Sequence, residues 1–113
     1  MSSIFSKIVT RDVPATIVAE DDRVIAFEDI APKAPVHVLV VPKTEQYQNV
    51  TELAAGDPDL LAHVVATAQR IADERSGGQY RLVFNTGETV GQTVFHVHAH
   101  VLAGDLQEGT LAS

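Results

Sequence analysis

Apolar and polar positions divide the chain into short runs separated by clusters of Pro, Gly and Asp, with one long stretch of helical period. Ile4 to Val9 reads as a short amphipathic helix ending before Pro14. Ala15 to Glu20 and Val24 to Glu28 read as strands of a hairpin turned at Asp21-Asp22. The following loop, Asp29 to Pro35, contains Pro32 and Pro35, which have no N–H to give a sheet ladder. From Val36 to Val41 nearly every residue is apolar, the pattern of a central strand covered on both faces. His37 is its one polar member, and Pro42 ends it.

Asp57 as N-cap, Pro58 at the first helical position and Gly77-Gly78 beyond the end predict a helix from Pro58 to about Arg75. At 100° per residue, Leu60, Leu61, Val64, Val65, Ala68, Ile71 and Ala72 fall within an arc of roughly 140°, so one helix face packs on a sheet. Tyr80 to Asn85 makes a further strand, Thr86 to Thr93 a polar loop, and Val94 to Leu102 a last strand. Strands grouped around a single long crossover helix favour an α+β fold with an antiparallel sheet over a doubly wound parallel one. Repeats, low-complexity segments and linkers are absent, and residues 1–113 make one domain.

A chain of 113 residues can bury a single core without help from a metal or disulfide. It has no cysteine, which suits a reducing compartment, and its first residues lack a basic segment followed by an apolar run. A cytoplasmic location and no membrane partner are the resulting expectations. The formal charge of −7 gives no basic footprint for a nucleic acid, although single Lys or Arg residues can still meet a small phosphate.

Chemistry concentrates in His96-Val97-His98-Ala99-His100. On a strand these imidazoles share one face, while Phe95, Val97, Ala99 and Val101 form an apolar face for burial. Neutral imidazoles serve as nucleophiles, proton donors or metal ligands, and three of them can hold one zinc ion with an open position. The plain alternative is the wet face of an antiparallel strand. Neither a Gly-x-Gly-x-x-Gly turn nor a Walker-type loop is present. The segment from Asn85 to Thr93, with Gly87 and Gly91, offers another way to approach an anion: close backbone, with Asn85, Gln92 and Thr93 as neutral donors.

Taken together, Gly91-Gln92-Thr93-Val94-Phe95-His96-Val97-His98-Ala99-His100-Val101-Leu102 resembles the histidine triad family of nucleotide hydrolases and transferases. Ile4-Phe5-Ser6-Lys7-Ile8, Ala26-Phe27-Glu28-Asp29-Ile30 and Pro32-Lys33-Ala34-Pro35-Val36-His37 are similar to its branch of nucleotide-binding proteins that hydrolyse nucleoside phosphoramidates. The resemblance implies a five-stranded antiparallel sheet with one long helix and a short N-terminal helix, joined across a homodimer into ten strands. It implies cleavage of a purine nucleoside phosphoramidate, such as an adenylated amine, to the monophosphate without a cofactor or metal. His98 matches the nucleophile that forms a nucleotidyl-histidine, and the carbonyl of His96 matches the group that orients it. His100 and His37 match phosphate-side histidines. Asp29 matches the acceptor for the ribose hydroxyls, and Phe5, Ile8, Phe27 and Ile30 the apolar walls around the base. Asn85, Gly91, Gln92 and Thr93 match the phosphate loop, with the Thr93 hydroxyl assisting the leaving group.

The chain also departs from that pattern. Thr93 stands where the phosphoramidase branch commonly has Ser, and Gly-Gln-Thr-Val also occurs in the dinucleoside polyphosphate hydrolase branch. Glu28 stands where some relatives have His, and no tryptophan follows the triad. His100 in place of Gln points away from the nucleotidyltransferases. Dinucleoside polyphosphate hydrolysis, a zinc-dependent hydrolase and a noncatalytic nucleotide-binding module are the alternatives.

Overall fold

The computed structural model describes residues 3–108. Its strands are β1 (Ile17–Glu20), β2 (Val24–Glu28), β3 (Val36–Pro42), β4 (Arg81–Val83) and β5 (Ala99–Ala103). Its helices are α1 (Ile4–Val9), α2 (Val50–Gly56) and α3 (Pro58–Ser76), with a 3-10 turn at Glu88–Val90. The strands form one sheet in the order β1-β2-β3-β5-β4, antiparallel at every step, so the α+β architecture is as expected. No described helix is long and apolar enough to cross a membrane.

The signposts of α3 act as read. Asp57 Oδ1 accepts the N–H of Leu60 at 3.0 Å, Pro58 opens the helix, and Gly77 closes it at φ 63°, where a side chain would be strained. Leu60, Val64, Ala68, Ile71 and Ala72 are buried, but Val65 is exposed and Thr67 takes a buried place instead. Thr67 tolerates this because its hydroxyl donates to the His63 carbonyl at 2.8 Å. Helix α2 has no counterpart in the sequence reading.

The last strand is shorter than its alternation suggests. It begins at Ala99 rather than Val94, so of the triad only His100 lies on it. Antiparallel pairing of Val40 with Ala99 would next set Pro42 opposite Val97, and Pro42 has no N–H to continue the ladder. The incoming chain leaves the sheet edge: the Val97 N–H donates to the Tyr47 carbonyl at 3.0 Å, and the His96 side chain takes the Pro42 carbonyl at 2.6 Å. Phe95, expected in the core, is 48% exposed as a result. The strand read as Tyr80 to Asn85 likewise shrinks to Arg81–Val83, with Tyr80, Leu82 and Phe84 packed against the core.

Strand parity separates two faces. Val24, Ala26, Val38, Val40, Ala99 and Val101 pack with Leu53 of α2 and Val64, Ala68 and Ile71 of α3. Ile25, Phe27, Leu39 and Val41 point the other way, toward Phe5 and Ile8 of α1. His37 and His100 share the parity of this second set, so the chemistry sits on the α1 face.

Candidate active site

Leu39 pairs with His100 and His37 with Leu102, which makes the two histidines diagonal neighbours on one face. Their rings meet with His37 Nε2 3.0 Å from His100 Nδ1. The N–H of Lys33 donates to His37 Nδ1 at 3.0 Å, so in the neutral ring the proton lies on Nε2, facing His100 and also Asp29 Oδ2 at 3.4 Å. His100 then accepts at Nδ1 and carries its own proton on Nε2.

His98 precedes β5 by one residue. Its Nδ1 lies 2.8 Å from the His96 carbonyl, which can only accept, so Nδ1 bears the proton and Nε2 keeps the lone pair. Ring edges fix its orientation, with centroids 4.9 Å from Phe5 and 5.1 Å from His100. A lone pair on His98 and an N–H on His100 are the two complements that attack on a phosphorus centre requires.

His96 turns inward and is 1% exposed. Its Nε2 donates to the Pro42 carbonyl, and its Nδ1 accepts from the Ser3 hydroxyl at 2.6 Å. Both ring nitrogens are thus spent, which corrects the picture of three imidazoles side by side and removes the three-histidine zinc site that depended on it. What His96 contributes is its backbone carbonyl and an anchor for the start of α1.

Burial holds all four rings below the ordinary histidine value of 6.5. His37 is lowered by burial against the opposing pull of Asp29, and His98 by burial against its bond to the His96 carbonyl. His100, partly buried and facing the rings of His98 and His37, is pushed down to about 4, chiefly by loss of solvation. At neutral pH the cluster is uncharged, as the lone pair on His98 demands.

A cleft of about 740 Å³ collects Asp29, His37, Asn85, Gly91, Thr93 and His100. Within it some expected roles change. Gly91 lies at φ 102° and its N–H is taken by the Glu88 carbonyl at 3.0 Å, so it shapes the loop rather than binding an anion. Gln92 is buried; its Oε1 accepts from the Gly87 N–H at 2.9 Å and its Nε2 donates to the Gln48 and Val94 carbonyls at 2.6 and 3.1 Å. It is a strut, with no donor left for phosphate. Lys33 lines the cleft too, a contribution the sequence reading missed although its place in the proline loop before His37 hinted at it.

Of the four apolar base-wall candidates, Phe5, Ile8 and Phe27 are buried in the α1-side core, with the Phe5 and Phe27 rings 5.6 Å apart. Ile30 is 95% exposed and does not join them. It edges a separate open groove of about 490 Å³ with Pro14, Ala15, Thr16, Glu28 and Asp29. Asp29 belongs to both hollows, and its Oδ1 is held by the Ala31 N–H at 2.8 Å.

With this arrangement in hand, comparison is decisive: the HIT domain family profile matches residues 10–107. The chain belongs to the HIT family. It is 49% identical over 106 residues to a HIT-like protein of Synechocystis, with 90% of each chain covered. It is 39% identical over 104 residues to a purine nucleoside phosphoramidase of Escherichia coli, covering 90% of this chain and 87% of that one. Among solved structures, a HIT family hydrolase from Clostridium thermocellum superposes with a TM-score of 0.87 at 42% identity, over 94% of both chains.

Proposed function

We propose that this HIT protein hydrolyses purine nucleoside phosphoramidates to nucleoside monophosphates through a nucleotidyl-His98 intermediate. The observation that carries the reading is the pairing of a bare Nε2 on His98, whose Nδ1–H is held by the His96 carbonyl at 2.8 Å, with the ring of His100 at a centroid distance of 5.1 Å. Asp29 is shared by the open groove at Ile30 and the histidine cleft, and Thr93 is shared by that cleft and a further hollow of about 460 Å³ beside Phe95 and Glu45. In this reading a nucleotide sets its base at the Ile30 groove, its ribose at Asp29, its phosphorus between His98 and His100 at the edge of the cleft, and its leaving amine beyond Thr93.

His98 Nε2 attacks the α-phosphorus as the P–N bond breaks, and the departing amine takes a proton from solvent water relayed through the Thr93 hydroxyl, which is left unchanged. The positive charge on the phosphorylated ring is met by the His96 carbonyl at Nδ1–H. His100 Nε2–H stabilises the phosphoryl oxygens in both steps, and water then releases the monophosphate and frees His98. The Escherichia coli relative's name, purine nucleoside phosphoramidase, supports this substrate class.

Turnover of an adenosine phosphoramidate panel, run beside dinucleoside polyphosphates, tests the assignment. Faster hydrolysis of the phosphoramidates is expected; preference for the polyphosphates assigns the chain to the other hydrolase class, and nucleotide binding without turnover to a binding module. The same reading includes a twofold dimer through α3 and the outer strand β4, a sheet edge whose backbone groups would otherwise invite uncontrolled pairing. Light scattering at micromolar concentration should give twice the chain mass, and a fully active monomer would reject that part.

A further inference from the structure

Asp29, His37 and His100 present ligand-type atoms that all lie within 4.8 Å of one another. His37 Nε2 is 3.0 Å from His100 Nδ1 and 3.4 Å from Asp29 Oδ2. Around a divalent transition ion with bonds of ~2.1 Å, adjacent ligand atoms are separated by about 3.0–3.4 Å, so two imidazoles and a carboxylate stand at the spacing of a metal site. In a nucleotide cleft such an ion would cover the Asp29 carboxylate and both phosphate-side rings.

Hydrogen bonding argues against occupancy. A ligating imidazole needs a bare nitrogen toward the ion and normally donates its other N–H to a carbonyl or carboxylate. Here the other nitrogen of His37, Nδ1, is met by a donor, the Lys33 N–H at 3.0 Å. Turning His37 Nε2 toward an ion would force the ring proton onto Nδ1, head-on against that N–H. The same contact governs His100. If His37 switched tautomer, its bare Nε2 would accept from His100 Nδ1–H, and His100 would offer a lone pair at Nε2, which repels phosphoryl oxygen.

The contact is held by local structure. The loop between β2 and β3 folds around His37: the Asp29 N–H donates to the His37 carbonyl at 3.0 Å, the Ala31 N–H to Asp29 Oδ1 at 2.8 Å, and Pro32 and Pro35 flank Lys33 and limit the loop's freedom. A main-chain N–H has no alternative protonation state, so it directs the ring more firmly than a hydroxyl or amide side chain, which can turn to suit either tautomer.

We propose that the backbone N–H of Lys33 is a positioning group that locks His37 in its Nε2–H tautomer, thereby keeping His100 a proton donor to the phosphate and closing the Asp29–His37–His100 cluster to divalent transition metals. Its catalytic consequence rests on the proposed hydrolysis; the tautomer and the metal exclusion need no substrate, so they can fail or succeed independently of that reading.

The test compares wild type, Lys33→Ala, which keeps the N–H, and Lys33→Pro, which deletes it. Long-range ¹H–¹⁵N spectra of the imidazoles should show His37 protonated at Nε2 in wild type and Lys33→Ala, and a mixture of tautomers in Lys33→Pro. Titration with Co²⁺, followed by its visible absorption, should show Lys33→Pro binding at least about tenfold more tightly than Lys33→Ala, with the gain abolished by adding Asp29→Asn. Should the proline variant not fold, an amide-to-ester replacement at Lys33 removes the same donor with little change of shape. A wild-type His37 protonated at Nδ1, or equal Co²⁺ affinity with and without the N–H, overturns the proposal.

Discussion

Replacing His98 with alanine should lower turnover of an adenosine phosphoramidate by roughly three orders of magnitude or more, while the protein stays folded and still binds nucleotide. The ring is held at three points, the His96 carbonyl at 2.8 Å and the edges of Phe5 and His100, and all three direct Nε2 rather than support the fold. The large core lies mainly on the far face of the sheet, so truncation should cost at most about 2–3 kcal/mol of stability. Rapid quenching and peptide mass spectrometry of the wild type should place the nucleotidyl group on His98, and phosphorus–nitrogen NMR should place it on Nε2. An adduct elsewhere, or near-normal activity of the alanine variant, rejects the assignment. The same chemistry sets the pH profile. Burial lowers the pKa of His98, so the nucleophile stays neutral as pH falls through its ordinary 6.5, and the acid limb of kcat/KM should lie below that value. An acid limb at or above 6.5 would contradict the buried, uncharged cluster.

Wild type should bind AMP about tenfold or more tightly than its 2′,3′-dideoxy analogue, and Asp29→Ala should bring that ratio toward one. Hydrogen bonds to a charged acceptor are worth roughly 1.5–3 kcal/mol, and a dideoxyribose offers none. Asp29 also accepts the Ala31 N–H and faces His37 Nε2, so its removal will lower absolute affinity and rate as well. The ratio isolates the ribose, because loop damage weakens both ligands alike. Calorimetry on the two proteins with the two ligands completes the cycle, and equal binding of both ligands by wild type would remove Asp29 from the ribose.

Much of this was readable along the chain, because the signals concerned were local. Asp57-Pro58 and Gly77 bracket α3 within a residue or so of its ends, and the apolar run of residues 36–41 marked a central strand covered on both faces, with His37 as its one polar member. The failures were of two kinds. Helix α2 is short and buries only Leu53, too little for a visible period, although Asn49 and Glu52 carried a capping signal: Asn49 Oδ1 accepts the Glu52 N–H at 2.9 Å. The histidine run misled for a longer-range reason. Its alternation is that of a strand, but whether a strand forms depends on what lies opposite: pairing ends at Val40 with Ala99, and continuing it would set Pro42 against Val97. Likewise nothing near Gln92 announces that Gln48, 44 residues away in sequence, will take its side chain.

The separation of the two sheet faces bears on how such a protein can change. Heat resistance can be selected through Leu53, Val64 or Ile71, in the layer of α2 and α3, without touching a side chain of the histidine cleft on the other face. If the leaving group of the proposed reaction sits in the hollow formed by Thr93, Ile4, Phe95 and Glu45, a new one can be selected there without drawing on the main reserve of buried surface. Laboratory evolution can run the two searches in parallel and combine their winners, with interference concentrated where the layers share backbone, at Ala99 and Val101 on either side of His100.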